Sequence, residues 1–543
     1  MAEARDQHVV AEIAAQVRQG DLDAARARCE AFLNSVGEAA RQAPVRIWLG
    51  MVEQRGGNLH AALVQYELAR QIDRRNPHLT LQLGLAYFEM GNLECAEPLY
   101  RDAIRLEPRL PLAHYNLGVL LQQKRNFTAA CRAFEAALVH QPRFPEALNN
   151  LGNVLIECED PARAEQCYRQ AIALRSDFSF AHHGLGLLLQ QKRNFPAACR
   201  AFEAALVHQP RFPEALNNLG NVLIECEDLA RAEQCYRQAI ALRSDFSFAH
   251  HGLGLLLMRQ MRHVEALPSL RAAVDHNPAF IDAWLDLAEC QAQSGDVAAA
   301  KTSTAAVLAR DPQHAIAGFR RAQYAGEQPS STPPELVERL YASMAATFDE
   351  HLVQRLGYQI PSLLKTVLQP WLDQFAAPGT DMPTVLDLGC GTGLFGVQIR
   401  SAAKRLVGVD LSPQMLAVAR ARGIYDDLVA CDVVSYLKTI HLPVELIAAT
   451  DVLIYVGDLT TLFTEVAGRL TANGAFAFSV ETPDDLMEGM CLQPSGRYAH
   501  SVRYIEQLAA ANSLKISVCD SAIIRTENAV AMKGFLFILE KRR

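Results

Sequence analysis

The sequence lacks a surplus of basic charge: 52 Lys and Arg stand against 60 Asp and Glu, a formal net charge of −8 over 543 residues. A general nucleic-acid or anionic-membrane binder needs the opposite balance, so neither partner is expected. Long apolar runs are missing too. The strongest stretch, Leu446 to Val456, is broken by Asp451 and flanked by Glu445 and Asp458, so no membrane span is expected. Met1 to Asp6 show no basic segment leading into an apolar one, the pattern of a secretory signal. Gly and Pro, at 31 and 25, are too few for a collagenous or low-complexity chain. The 13 cysteines are odd in number and none form C-x-x-C. Buried reduced thiols in helices are their expected state, with no metal site, and a cytoplasmic location fits. What the chain does have is apolar material, 50% of its residues, enough for two to four packed domains.

An internal repeat organises the first three-fifths. Leu120 to Leu189 reappears as Leu188 to Leu257, offset by 68 residues and altered only at Thr128/Pro196 and Pro161/Leu229. Half of 68 is 34, and a 34-residue period continues outside the duplication. Leu117, Gly118, Ala130, Phe134 and Ala137 recur as Leu151, Gly152, Ala164, Tyr168 and Ala171, and earlier as Leu83, Gly84, Ala96, Tyr100 and Ala103. Small residues at two places let paired helices approach closely. An aromatic four residues after the second fills the gap to the next pair, and Pro near the end stops the second helix.

This pattern resembles the tetratricopeptide repeat. Residues 43–314 hold eight units without insertion, residues 1–42 a degenerate helical repeat, and residues 315–334 a capping helix and linker. The resemblance implies an all-α superhelix whose inner groove is lined by the first helix of each pair. Asn116, Asn150 and Asn218 fall at its sixth places, where each side chain offers both a donor and an acceptor to an extended peptide. A similar ladder serves the repeat region of the O-linked N-acetylglucosamine transferases. A protein or peptide partner is expected; solvated Asn filling a consensus place is the competing reading.

After the Pro- and Ser-rich linker Gly326 to Pro334, strands begin to alternate with helices, as a parallel α/β sheet requires. Thr384 to Leu388 runs as a strand into a loop in which Gly391, Gly393 and Gly396 form G-x-G-x-x-G. Alone, that motif equally suggests a dinucleotide. Its surroundings discriminate. Asp387 lies two residues before Gly389, where a carboxylate would repel a pyrophosphate but suits an ammonium. The next strand ends in Asp410, placed for two ribose hydroxyls, with Leu411 and Met415 following. Asp432 and Val433 end a third strand, where a carboxylate can accept from an adenine amine, and Asp451 ends a fourth. Leu514 to Cys519 and Gly534 to Glu540 read as a closing antiparallel hairpin.

Together these residues resemble the class I S-adenosylmethionine-dependent methyltransferases, over residues 335–543. The resemblance implies a Rossmann-like α/β domain with a seven-stranded, mostly parallel sheet and an antiparallel C-terminal strand. It implies S-adenosylmethionine as cofactor, held by Asp387, Gly389, Cys390, Gly391, Gly393, Asp410, Leu411, Met415, Asp432, Val433 and Asp451. Residues 340–361 resemble the lid of the predicted methyltransferases that carry tetratricopeptide repeats, with Tyr341 and Phe348 either facing the sulfonium or buried in the core. Tyr455 and His500 are the catalytic candidates, needed as a base only if the acceptor arrives protonated. The methyl acceptor is not legible. The expected function is methyl transfer with the repeats recruiting a protein. A repeat scaffold whose second domain only binds the cofactor, or a small-molecule methyltransferase whose repeats serve assembly, are the alternatives.

Overall fold

The computed structural model describes residues 2–342, 348–375, 380–482, 488–527 and 530–542. It divides into two compact units, Met1–Met261 and Arg262–Arg543. Among the described residues, no helix is long and apolar enough to cross a membrane.

The first unit is all helix, from Ala2–Gln19 to Ser247–Arg259. The 34-residue period becomes a series of helix pairs, such as Pro111–Gln123 with Phe127–His140 and Pro145–Glu157 with Pro161–Leu174. Two devices set each pair. Pro opens several first helices at a position whose N–H has no partner inside the helix. Asn or Asp caps the second helix, as Asn126 accepts from the Ala129 amide at 3.3 Å and Asp160 from the Arg163 amide at 3.1 Å. The turn between the two helices needs a left-handed residue. Gly91 supplies it in one pair, while Arg125, Glu159, Arg193 and Glu227 adopt it at φ of 56–59°.

The small residues do what their spacing suggested. A Cβ on Gly118 would lie 2.7 Å from the Phe134 ring. Tyr168 is gripped twice: Gly152 of its own pair and Gly184 of the next would both place a Cβ within 2.7 Å of its ring. The ring is buried and welds one pair to the next.

The second unit opens with helices His263–His276, Ile281–Gln293 and Val297–Leu308, and the helix Ala315–Ala325 closes on Gly326 at φ +79°. Helix Pro334–Ala342 follows. The α/β domain then carries strands β1 (Thr384–Leu388), β2 (Arg405–Asp410), β3 (Asp427–Ala430), β4 (Val444–Ala449), β5 (Leu470–Glu481), β6 (Met490–Leu492), β7 (Tyr498–His500), β8 (Leu514–Glu527) and β9 (Val530–Lys541). Seven form one sheet in the order β3-β2-β1-β4-β5-β9-β8. The pairs from β3 to β5 are parallel, and β9 runs antiparallel to both of its neighbours. The fold is an all-α tetratricopeptide array followed by a Rossmann-like domain.

Both sheet faces are covered, which explains the near-continuous apolar strands. Leu386, Val407, Ile447 and Phe478 pack to one side, and Val385, Leu406, Leu446 and Ala477 to the other. Two features depart from the sequence reading. The closing strands are longer than Leu514 to Cys519 and Gly534 to Glu540, because a polar stretch through Glu527 stays paired with β9 across two register shifts. A separate two-stranded hairpin, β6 with β7, carries His500 and was not read from the sequence.

The end of the array and the α/β domain share a core. Leu285, Val307 and Phe319 from the array pack with Leu336, Leu492 and Tyr498. A test of the repeat packing is Gly184→Val. Driving a branched side chain into the Tyr168 ring should destabilise the first unit by about 1–3 kcal/mol, read as a lower denaturant midpoint. An unchanged midpoint would mean the ring is not gripped.

Candidate functional site

A cleft opens at the C-terminal ends of β1, β2 and β4, the place where parallel sheets bind ligands. Its floor is the glycine loop after β1. Gly389 and Gly391 adopt φ of +63° and +54°, and a Cβ on Gly389 would meet Val452 at 2.2 Å. The loop amide of Gly391 donates to Asp410 Oδ2 at 2.9 Å, and the Ser412 amide donates to Oδ1 at 2.8 Å. Burial pushes the Asp410 carboxyl up, and these two amides pull it back. Ser412 caps the helix Pro413–Ala421, which sets Met415 into the cleft wall, and Asp432 caps the helix Val433–Thr439 through the Ser435 amide.

Of the residues expected to hold the cofactor, Gly389, Cys390, Gly391, Asp410, Leu411, Met415, Asp432, Val433 and Asp451 all line this one cleft. Gly393 and Asp387 do not. Asp387 lies beneath the loop, fully buried, with Oδ2 accepting from the Tyr425 hydroxyl at 2.6 Å. Its Oδ1 is buried without a hydrogen-bond partner. Burial first, then the nearby Asp410 charge, pushes the Asp387 carboxyl up to about 7, with Tyr425 opposing. Gly396 has a use that the motif does not announce. A Cβ there would meet the Tyr425 hydroxyl at 2.3 Å, so the third glycine seats the phenol that holds Asp387.

Three aromatic side chains stand at the other side of the cleft. The Tyr341 and Tyr455 hydroxyls are hydrogen-bonded. The Tyr341 ring meets Phe348 edge-on at 5.5 Å and Tyr455 at 6.0 Å. Burial raises both phenols, so Tyr455 keeps its proton and is better suited to donate than to act as a base. Part of the lid falls on residues 343–347, outside the described residues. Beyond them, Asp349 accepts from the Thr392 hydroxyl and pairs with Arg422, tying the segment to the glycine loop.

His500 lies off the cleft wall, contrary to its expected role as a base. It is fully buried behind the turn after β4, with Nε2 bonded to the Val456 and Gly457 carbonyls at 2.9 and 3.0 Å. Burial lowers its ring to about 4. A neutral imidazole spent on two carbonyls positions the Tyr455 turn from behind.

Several residues escaped the sequence reading. Arg525 on β8, 1% exposed, donates to both carboxylate oxygens of Asp451 at 2.9 Å and to Glu481. This pairing holds Asp451 at φ +57°, left-handed for a non-glycine residue. The only sequence signal was one cation inside the run Ile523-Ile524-Arg525. The linker was missed as well. Ser331, Thr332 and Pro334 line the cleft, and the Thr332 amide donates to the Tyr455 carbonyl at 2.9 Å. Thr332 Oγ1 is buried there without a partner.

The groove residues sit in the first unit. Asn150 Nδ2 donates to the Tyr115 hydroxyl at 3.1 Å and Asn218 Nδ2 to His183 Nε2 at 3.0 Å, each reaching the preceding pair. Asn116 is half-buried. The ladder amides are thus partly spent within the array.

A methyltransferase-domain family matches residues 385–474. Tetratricopeptide-repeat families match residues 84–125, 145–178, 183–245 and 257–322. The chain is a tetratricopeptide-repeat array joined to a methyltransferase domain. Among solved structures it is similar to MamA at 23% identity, over 30% of this chain and 95% of that one, with a TM-score of 0.28. YrrB, described as a tetratricopeptide protein with an unusual peptide-binding site, gives 22% identity, 34% and 96% coverage and a TM-score of 0.30. pilF of Pseudomonas aeruginosa gives 24%, 41% and 98%, and 0.37. A comparison with curated proteins gives no match.

The Asp387 environment predicts a pH dependence. Its folded-state pKa lies above the ordinary carboxyl value, so the folded state binds the proton more tightly, and this group's contribution to stability falls as pH rises from about 4 to about 7. Asp387→Asn should remove that slope, at most about 1.4 kcal/mol per pH unit, in denaturant titrations across the window. Parallel wild-type and variant profiles would contradict the assigned environment.

Proposed function

We propose that the C-terminal domain transfers a methyl group from S-adenosylmethionine to an acceptor on, or presented by, a protein bound by the repeats. The observation that carries this reading is the charge of the cleft wall. Among the described residues it holds Asp410, Asp432 and Asp451 and no Lys, Arg or His. Such a wall favours a cationic nucleoside and repels a pyrophosphate, which disfavours a dinucleotide.

The chain's residues fit that ligand. Asp410 stands at the tip of β2 with acceptor capacity beyond its two amides, suited to ribose hydroxyls, and Asp432 is suited to the adenine amine. Asp387, fully buried and held by Tyr425, supports from below the glycine loop on which the amino-acid end would rest. When bound, S-adenosylmethionine supplies an electrophilic methyl group on a positively charged sulfur. Tyr341, Phe348 and Tyr455 offer aromatic faces and edges to that charge and shield the site from water. The Tyr455 hydroxyl and the Asp451 carboxylate orient the acceptor, and Arg525 holds Asp451 in place through two hydrogen bonds.

The array's role rests on its repeats, which present a long inner groove to a protein or peptide. The free thiols suit a reducing compartment such as the cytoplasm.

Labelled methyl transfer into fractionated lysate, with the full chain and with Asp410→Ala, tests the reading. The variant should lose labelling and weaken S-adenosylhomocysteine binding by at least about tenfold, the loss of a charge-assisted contact. Equal labelling by the variant would overturn the assignment. A chain beginning at residue 331 is expected to lose turnover whether the repeats recruit a substrate or serve only assembly. The Gly457 and Asp458 amides both donate to Ser330 O at 2.9 Å, the Tyr498 hydroxyl donates to Pro329 O at 2.7 Å, and the truncation removes both acceptors.

A further inference from the structure

In the first unit, one contact recurs between successive helix pairs. A residue in the second helix of one pair meets a residue 27 positions later, at the end of the next pair's first helix. Lys124 Nζ donates to Glu97 at 2.7 Å, and Lys192 Nζ to Glu165 at 2.6 Å. On the alternate rung the same two places hold cysteines, with Cys131 Sγ 4.0 Å from Cys158 Sγ. Cys199 and Cys226 repeat the arrangement in hydrogen-bond contact. The flanking ion pairs mark these places as true cross-contacts, where side chains of complementary chemistry join two repeats.

We propose that the Cys131–Cys158 and Cys199–Cys226 pairs are oxidative modification sites, at which a hydroperoxide closes a disulfide between neighbouring repeats. Cys158 and Cys226 are exposed and react first. The thiolate sulfur attacks a peroxide oxygen, an S–O bond forms, the O–O bond breaks, and water or an alcohol departs, leaving a sulfenic acid. The sulfur of Cys131, or of Cys199, then attacks the sulfenic sulfur. The S–S bond forms, the S–O bond breaks, and water leaves with the second thiol's proton. Two thiols lose two electrons and the peroxide gains them. Burial pushes the Cys131 and Cys199 thiols up to about 12, which keeps them protonated and inert until the second step. Closing the bond brings the two sulfurs from 4.0 Å to about 2.0 Å. A thiol reductant reverses the bond.

The test is peptide mapping of the full chain after brief treatment with hydrogen peroxide, alkylation of the remaining thiols and tryptic digestion. Residues 126–132 and 194–200 carry one cysteine of each pair, and residues 144–163 and 212–231 carry the other. Thr128/Pro196 and Pro161/Leu229, the differences between the duplicated blocks, fall one in each of these peptides, so every linkage has its own mass. The expected products are reductant-sensitive species joining 126–132 to 144–163 and 194–200 to 212–231. The doubly substituted Cys158→Ser, Cys226→Ser chain should form neither while keeping its helical circular dichroism. Cys95 and Cys519, exposed and outside these pairs, serve as controls. Full alkylation of Cys131 and Cys158, stepwise oxidation to sulfinic acid without linkage, or preferential linkage through Cys95 or Cys519 would overturn the proposal. The wild-type map decides this even if the variant fails to fold.

Discussion

The carboxylate of Asp410 sets the geometry of the cleft. One oxygen holds the Gly391 amide and the other the Ser412 amide, so a single side chain fixes the loop after β1 and starts the helix after β2. The loop can take that path because its glycines accept left-handed backbone, and Gly389 has no Cβ to strike Val452. Beneath it, Asp387 is held by Tyr425, which itself needs Gly396 and Gly408 to be bare. Two carboxylates, each largely stripped of water, therefore crowd the ends of adjacent strands, and the Asp410 charge helps to raise the Asp387 pKa. The site is under an electrostatic load that a cation relieves and an anion worsens.

The boundary in the sequence is not the boundary in the structure. Periodicity ends near Pro312, yet compactness divides the chain after Met261 and assigns the last helices of the array to the α/β domain. The linker explains why. Leu492 donates its amide to Gln328 at 2.6 Å, Gln323 donates to the carbonyls of Gln493 and Pro494, and Ser331 bridges to Val456. Arg339 reaches back to Asp282 and Asp286. A connection that the Pro and Ser content marks as a spacer is built into the wall of the cleft, and Gly457 is bare because the Tyr498 ring occupies that space.

How much was legible follows from how local the cause is. The repeats, the alternation of strands with helices and the acidic tips of β2, β3 and β4 rest on short-range patterns, and the residues on those tips meet in one cleft. The His500 role failed because a polar residue in sequence says nothing of burial. The imidazole faces backbone carbonyls, and no local spacing encodes that. Arg525 was missed for the opposite reason. It is 74 residues from Asp451, brought there by a hairpin whose polar half looked like loop. Thr332 was hidden because loop composition reads as solvent-exposed until tertiary contacts cover it.

The duplication makes a last physical point. Its unit is two repeats, although one repeat is the structural period. The contact between second and first helices shows why two is the smallest block that copies cleanly. Glu97 faces Lys124, Cys131 faces Cys158, Glu165 faces Lys192, and Cys199 faces Cys226. Copying residues 145–178 alone would set Glu165 against a second Cys158, leaving a carboxylate beside a thiol in place of an ion pair. Copying 68 residues sets Glu165 against Lys192 and Cys199 against Cys226. A two-repeat step preserves the nearest-neighbour coupling on which a solenoid's stability rests.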